Sequence, residues 1–124
     1  MALDIVEAVM AEAYPGKALR RMLKRSGDLL SIRGREYDLS KFEHVYIIGV
    51  GKGALSFVEV LAEAVADRLD RGIVVIKSGE PHERLNGVEI IESDHPLPTK
   101  RSVEAGLAIM KLAESAGPKD LVLT

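Results

Sequence analysis

The sequence predicts an α/β fold: a Rossmann-like, mostly parallel sheet flanked by helices, with an N-terminal helical and β-hairpin extension. Three observations predict it. The run Val45-Tyr46-Ile47-Ile48 stops at alternate glycines and passes straight into a helical pattern, which reads as buried strand, tight turn and helix start. Ile73-Val74-Val75-Ile76 shows no polar alternation, as a strand covered on both faces should not. Asp120-Leu121-Val122-Leu123 reads as the start of another buried strand.

The elements follow in order. Over residues 2–13, Ile5, Val6, Val9, Met10 and Ala13 fall at helical spacing, with Asp4, Glu7 and Glu12 interleaved, which predicts a first helix. Tyr14-Pro15-Gly16 interrupts it, and Pro15 suits the first position of a second helix. That helix is expected to bury Leu19, Met22 and Leu23 and to carry Arg20, Arg21, Lys24 and Arg25. The basic cluster has two readings: a grip on an anion, or a solvated face whose cations suit the negative end of the helix dipole. Ser26-Gly27-Asp28 ends the helix, and Leu29–Ile32 and Arg35–Leu39 flank Arg33-Gly34 as a short hairpin.

Beyond the glycine turn, Val58, Leu61, Ala62, Val65 and Leu69 predict an amphipathic helix ending near Asp70-Arg71-Gly72, with Gly72 as its cap. The strand at Ile73–Ile76 exits through Lys77-Ser78-Gly79-Glu80-Pro81-His82, and a third strand follows at Val88–Glu92. The connection between them is short for a parallel crossover. Ser93-Asp94-His95-Pro96-Leu97-Pro98-Thr99 is a stiff loop, because two prolines hold its backbone extended. Thr99 or Ser102 can cap a last helix that puts Val103, Leu107 and Met110 on one buried stripe, with Ala105, Ile109 and Leu112 beside it. Gly117-Pro118 ends that helix. The order is β-α-β-β-α-β behind an extension. The last strand stops where parallel α/β folds place a ligand loop, so residues 1–124 are expected to be an incomplete N-terminal domain.

Composition narrows the function. The 124 residues carry a net charge of −2 and only 4% aromatics, which argues against nucleic acid as a partner. There is no cysteine, so disulfides and thiolate metal sites are excluded and a reducing, cytoplasmic setting fits. No apolar run approaches the roughly 20 residues of a membrane span.

Chemistry concentrates at Gly49-Val50-Gly51-Lys52-Gly53-Ala54. Glycines let the backbone adopt positive φ and let a ligand approach the amides. The following helix start offers N–H groups and a positive dipole end to an anion. Gly49, Gly51 and Ala54 satisfy G-x-G-x-x-A, a dinucleotide fingerprint, yet the next strand ends in Lys77 and Ser78 where an acid would meet the ribose. A lysine there suits a 2′-phosphate, which keeps NADP open. A P-loop is rejected, since alanine follows the last glycine and the lysine is out of place. A generic anion-binding turn clamped by Lys52 is the third reading. Against all three stands close packing of helix on strand as the glycines' whole purpose.

His95, with Asp94 to orient it or to bind a hydroxyl, is the second candidate, on a stiff loop at a strand end. An exposed loop histidine is the plain alternative. His44 is read as preceding the core strand and His82 as lying in a mobile polar loop. No histidine pair has helical metal spacing, so no protein-built metal site is expected.

Taken together, the chain resembles the N-terminal part of the class II glycerate kinases, some of which are labelled hydroxypyruvate reductases. The resemblance runs over nearly the whole chain. It rests on the leading helices, the hairpin ending Tyr37-Asp38-Leu39-Ser40-Lys41-Phe42, the turn Gly49-Val50-Gly51-Lys52-Gly53, the stretch His95-Pro96-Leu97-Pro98 and the downstream Ser102. Asp94 and Thr99 depart from the family pattern, which has glycine and aspartate there. The resemblance implies transfer of the ATP γ-phosphoryl group to the 2-hydroxyl of D-glycerate with Mg²⁺. It also implies a two-domain enzyme of which residues 1–124 are a fragment, inactive alone. Lys52 would then be catalytic. Gly49, Gly51, Gly53, Ala54, Asp94 and His95 would bind substrate or phosphate. An NADP-linked hydroxypyruvate reductase, or a non-catalytic sugar-phosphate module, remains the alternative. The partners expected are D-glycerate and ATP, with a homodimer open.

Overall fold

The computed structural model describes residues 4–6, 15–51, 53–93 and 100–124. Among them the chain runs β1 (Asp4–Val6), α1 (Pro15–Met22), β2 (Leu23–Ser26), β3 (Leu29–Ile32), β4 (Arg35–Asp38), a 3₁₀ turn (Leu39–Lys41), β5 (His44–Val50), α2 (Ala54–Ala64), β6 (Leu69–Lys77), β7 (Val88–Ser93), α3 (Lys100–Ser115) and β8 (Asp120–Leu123). Five strands form one sheet in the order β1-β8-β5-β6-β7, every pair parallel, and β2-β3-β4 form a separate antiparallel meander. The predicted α/β class and the β-α-β-β-α-β order hold.

Four features differ from the sequence reading. Asp4–Val6 is a strand paired in parallel with β8, not part of a helix, because β-branched Ile5 and Val6 satisfy a sheet as readily as a helical stripe. The rest of that predicted helix lies outside the described residues. The second helix stops at Met22, and Leu23–Ser26 pairs with β3, so the predicted hairpin is a three-stranded meander. Its Arg33-Gly34 turn has positive φ at both residues, +52° and +83°, as a two-residue hairpin of the right twist demands. Helix α2 ends at Ala64, with Val65 capping it. Leu69, though still in helical phase, opens β6, and Gly72 lies inside that strand. Gly72 is there for packing: a Cβ would meet Val88 Cγ2 at 2.9 Å.

The fourth difference concerns α3. Its sheet-facing residues are Ala105 (3% exposed) and Leu112 (1%), while Val103, Leu107 and Met110, predicted buried, are 60%, 58% and 57% exposed. Both sets obey a helical period, and the smaller alanine lets the helix lie close to the sheet.

The main core fills the α2 side of the sheet. Val45 and Ile47 of β5, Val74 and Ile76 of β6, and Leu121 and Leu123 of β8 pack there against Val58, Leu61 and Val65, and against Leu19, Leu30, Ile32 and Leu39 of the extension. Helix α1 lies against α2. Arg20 of α1 pairs with Glu63 of α2 at 2.9 Å, and the turn after α2 is tied to the meander by Arg25–Asp67 at 2.9 Å and Arg68–Asp28 at 2.7 Å. Arg25 also donates to the Ala64 and Gly27 carbonyls at 2.8 and 2.6 Å, closing the C-terminal turn of α2. Of the basic cluster, Arg20 pairs with Glu63 on the surface, and Arg25, in β2 and largely buried, is a structural clamp, not the solvated helix cation of the plainer reading.

The connections decide where a ligand can sit. From β5 the chain steps to β6 and then β7 in one direction. It then crosses back through α3 to β8 on the other side of β5. The right-handed crossover rule sends α3 to the face opposite α2. Tyr46, pointing away from α2, accordingly meets Ser115 at the end of α3. The order β7-β6-β5-β8 therefore reverses between β5 and β8, and the carboxyl ends of these two strands flank a topological switch point.

Candidate functional site

The glycine turn leaves β5 at this switch point. Its glycines do different work. Gly49 is the last tight contact of the strand: a Cβ there would stand 2.5 Å from Val58 Cγ2 and 3.3 Å from Val74 Cγ2. Gly49 thus lets α2 lie on the sheet, and it is a packing residue. Gly51 and Gly53 instead have positive φ, +102° and +81°, which side chains rarely tolerate. Among the described residues, a Cβ on Gly51 would meet nothing within 4 Å.

The turn is closed by its own bonds. The Ala54 N–H donates to the Gly51 carbonyl at 3.1 Å, and the Phe57 N–H donates to the Gly53 carbonyl at 3.4 Å. The Ser56 hydroxyl donates to the same carbonyl at 3.0 Å. Gly53, in the left-handed region, caps α2 with no side chain, and the first turn of the helix contains no acidic residue. The positive end of the dipole therefore has no carboxylate of its own element to neutralise it. Ala54 is buried beneath the turn, and Val50 is 62% exposed beside it. This arrangement fits a phosphate or carboxylate. Residues 49–56 contain no carboxylate to ligate Mg²⁺.

Of the predicted site residues, the structure brings Gly49, Gly51, Gly53 and Ala54 together in this turn. Lys52, Asp94 and His95 lie outside the described residues. The ends of the segment carrying Asp94 and His95 are placed: Ser93, closing β7, and Ser102, in the first turn of α3, hold their hydroxyls 2.9 Å apart. Lys77, at the end of β6, pairs in register with Ser93 and is exposed on the same carboxyl edge.

A second polar cluster sits at the opposite, amino edge. Asp120 is buried (4% exposed); its Oδ1 lies 2.8 Å from His44 Nδ1, and its Oδ2 accepts from the Gly117 N–H at 2.7 Å. The bond to Asp120 raises the His44 pKa, with the neighbouring charges of Asp120, Asp70 and Glu43 adding to it and desolvation opposing. Burial pushes Asp120 up, but the Gly117 amide and His44 outweigh it and leave the pKa lowered. His44 also stacks on Tyr46, ring centroids 5.8 Å apart. Glu43, His44 and Asp120 bring one ligand atom each within 4.8 Å, a grouping the histidine spacing did not foresee. Through these bonds Asp120 clasps β8 to β5. Sequence reasoning missed it because the His44–Asp120 pairing exists only through the sheet register.

A groove of about 520 Å³ runs along the β7 edge, lined by His82, Glu89, Ile90, Ile91, Glu92 and Glu104. Its three glutamates make it unsuited to an anion. Among the described residues no helix is long and apolar enough to cross a membrane.

Comparison with known proteins agrees with the fold and adds a lineage. The family described as "Domain of unknown function (DUF4147)" matches residues 1–124. A protein named glycerate 2-kinase from Pyrococcus horikoshii is 30% identical over 122 residues, covering 97% of this chain and 26% of the relative. A protein named glycerate kinase from Mus musculus is 28% identical over 139 residues, covering 98% of this chain and 26% of the relative. A crystallised protein from Pyrococcus horikoshii OT3 superimposes with a TM-score of 0.74 at 28% identity, over 90% of this chain and 24% of its own. The chain thus spans about a quarter of the length of the curated relatives it matches, corresponding to their N-terminal quarter.

Proposed function

The chain belongs to the DUF4147 domain family, and from that premise we propose that it forms the N-terminal part of an ATP-dependent glycerate 2-kinase, which transfers phosphate to the 2-hydroxyl of D-glycerate. The observation that carries the reading is the Gly51–Ala54 turn: open, free of acidic side chains and set at the switch point of a parallel sheet. The names of the relatives give the substrate class.

Phosphoryl transfer asks a protein mainly to position groups and neutralise charge. In this reading the positive end of α2, beyond the Ala54 N–H that the Gly51 carbonyl already engages, receives the substrate carboxylate or the transferring phosphoryl group. Lys52, between Gly51 and Gly53, supplies the cation. Asp94 and His95 act from the substrate side, at the end of β7. ATP supplies the phosphoryl group, and Mg²⁺ would be held by carboxylates outside residues 49–56. A chain of this length would be inactive alone.

The test is ADP release with D-glycerate in the complete native polypeptide. Lys52→Ala is expected to lower kcat by roughly two to three decades, the scale of a preorganised charge in a site closed to water, with the far-UV spectrum unchanged. Near-normal kcat would remove Lys52 from the chemistry. His95→Ala with unchanged KM and kcat would remove His95. A second reading has one observation in its favour: the turn, G-x-G-x-x-A, opens a β-α-β unit whose second strand ends in Lys77. Saturable NADPH binding, tighter than that of ATP, would replace the kinase with an NADP-linked reductase.

A further inference from the structure

The carboxyl end of β6 sets a second cation beside the glycine turn. Val50, the last residue of β5, pairs with Val75, so Ile76 and Lys77 run on past the end of β5. Lys77 stands two residues beyond Val75, as Lys52 stands two beyond Val50. Neighbouring strands lie only about 4.8 Å apart. On its other side Lys77 pairs in register with Ser93. Alternation along β6 sets its face: Val74 and Ile76 enter the core against α2, so Lys77 shares the opposite face with Ile73 and Val75. Helix α3 covers that face, and the Ser93 hydroxyl is engaged there by Ser102 at 2.9 Å. Toward β5 the neighbour is Val50, itself 62% exposed.

The charge on Lys77 has no counterpart among the described residues. Arg20, Arg25, Arg68, Lys100 and Lys119 each lie within 4.0 Å of a carboxylate. Lys77 is exposed, and no described side chain takes a hydrogen bond or ion pair from its ammonium. Glu92, across from Ile76, belongs to the other face and accepts from the Gly79 N–H at 3.3 Å.

We propose that Lys77 binds the carboxylate of the acceptor substrate, leaving the start of α2 and Lys52 to the phosphoryl group. This assignment rests on the kinase reading given above. A 2-hydroxy acid phosphorylated on its hydroxyl carries two anionic groups on neighbouring carbons, so its site needs two positive centres side by side. A helix start, with its N–H groups, suits phosphoryl oxygens. An ammonium on a four-carbon stem is a compact point charge with three donors, which suits a carboxylate. The register of β5 and β6 sets these two centres one strand apart at the switch point.

The experiment follows ADP release by the complete native polypeptide. Lys77→Met keeps the stem and removes the charge. KM for D-glycerate is expected to rise about 10–100-fold, the scale of a lost hydrogen bond to a charged group, with KM for ATP and the thermal midpoint unchanged. The kcat should change less than about threefold, as for a group that binds ground state and transition state alike. Lys77→Arg, which keeps a charge, should recover part of the loss. Glyceramide, the uncharged amide of the same acid, gives a readout that a structural role would not move. The native polypeptide should prefer D-glycerate to it, and Lys77→Met should lose at least about tenfold of that preference. An unchanged KM for D-glycerate in Lys77→Met overturns the proposal. So does an equal loss toward both substrates, since the ammonium then serves a carboxylate of the chain, such as that of Asp94 next to Ser93. A rise in KM for ATP alone assigns Lys77 to the nucleotide and overturns it too. No turnover by the native polypeptide removes the kinase reading and this proposal together, whereas turnover with any of those three results removes this proposal alone.

Discussion

Gly49→Ala isolates the packing role of the glycine turn. The added Cβ would lie 2.5 Å from Val58 Cγ2, and ordinary contact begins at 3.4 Å, so about 0.9 Å must be found. Val58 cannot supply it by turning: it is β-branched, sits in a helix and is 1% exposed. Val74 stands at 3.3 Å on the other flank and is fully buried. The strain therefore passes to the backbone of α2, and the cost belongs in the upper part of the overpacking range, about 2–3 kcal/mol. Equilibrium urea unfolding should show the midpoint falling by about 1 M with an unchanged slope. A double-mutant cycle with Val58→Ala makes the test specific. Deleting Cγ2 removes the clash, so the double variant should recover about 1–2 kcal/mol relative to the sum of the single losses. Strict additivity, or a Gly49→Ala loss below about 0.5 kcal/mol, would refute the contact as the reason for the glycine.

Three further predictions follow from other contacts. Arg25→Ala should cost about 1–3 kcal/mol in the same assay, because the guanidinium is 18% exposed and holds Asp67 and the Ala64 and Gly27 carbonyls at once. Arg25→Lys should recover little, lacking the planar fork. Arg20→Ala, which breaks an exposed pair, should cost less than about 1 kcal/mol. The His44–Asp120 clasp makes stability depend on pH from both sides. Folded His44 holds its proton more tightly than the unfolded chain, so its contribution is complete below about pH 6.5 and is lost as pH rises through the higher folded value. Asp120 contributes above its unfolded pKa of about 3.9, and that contribution is lost as pH falls through the lower folded value. NMR titration of the His44 ring should give a midpoint above the ordinary histidine value, and Asp120→Asn should bring it down; an unmoved midpoint would show that the bond does not hold the proton.

How much of this was legible follows from where the information lies. The strand-turn-helix start at residues 45–54, the strands that include 73–76, 88–92 and 120–123 and the last helix carry their own periodicity and are present, although the helix after the turn ends at Ala64 and β6 begins at Leu69, earlier than the residues suggested. The errors arise where two elements share one apolar signal. Val65 and Leu69 continue the α2 stripe, yet the chain turns after Ala64 because Arg68 and Leu69 donate back to the Val65 carbonyl, at 2.8 Å each. Ile5 and Val6 suit a helix face or a strand, and only register with β8 decides between them. In α3 two stripes of equal period compete, and the larger residues were the natural choice for the core. Nothing local tells that a sheet accepts Ala105 more closely than Leu107. Of the candidate site, the glycine turn was readable because strand and helix meet within six residues. The His44–Asp120 clasp was not, since its partners are 76 positions apart.

The two edges of the sheet explain why the glycine motif should be divided. At the amino edge, Asp120 engages His44 and the Gly117 N–H and so holds β8 to β5, while Asp70 of β6 accepts from the Val45 N–H at 2.9 Å and holds β6 to β5. At the carboxyl end of β5, a Cβ on Gly51 would meet nothing within 4 Å among the described residues. A fingerprint such as G-x-G-x-x-A treats its glycines as one signal. Here the first is explained fully by Val58 and carries no information about a ligand. The later two shape a turn that no packing contact requires at Gly51. The weight of a phosphate or carboxylate site therefore rests on Gly51, Gly53 and the helix start, not on the match to the fingerprint. That is why an anion-binding turn, which needs only those parts, is better supported than a dinucleotide site, which also needs a partner for the ribose at the end of β6.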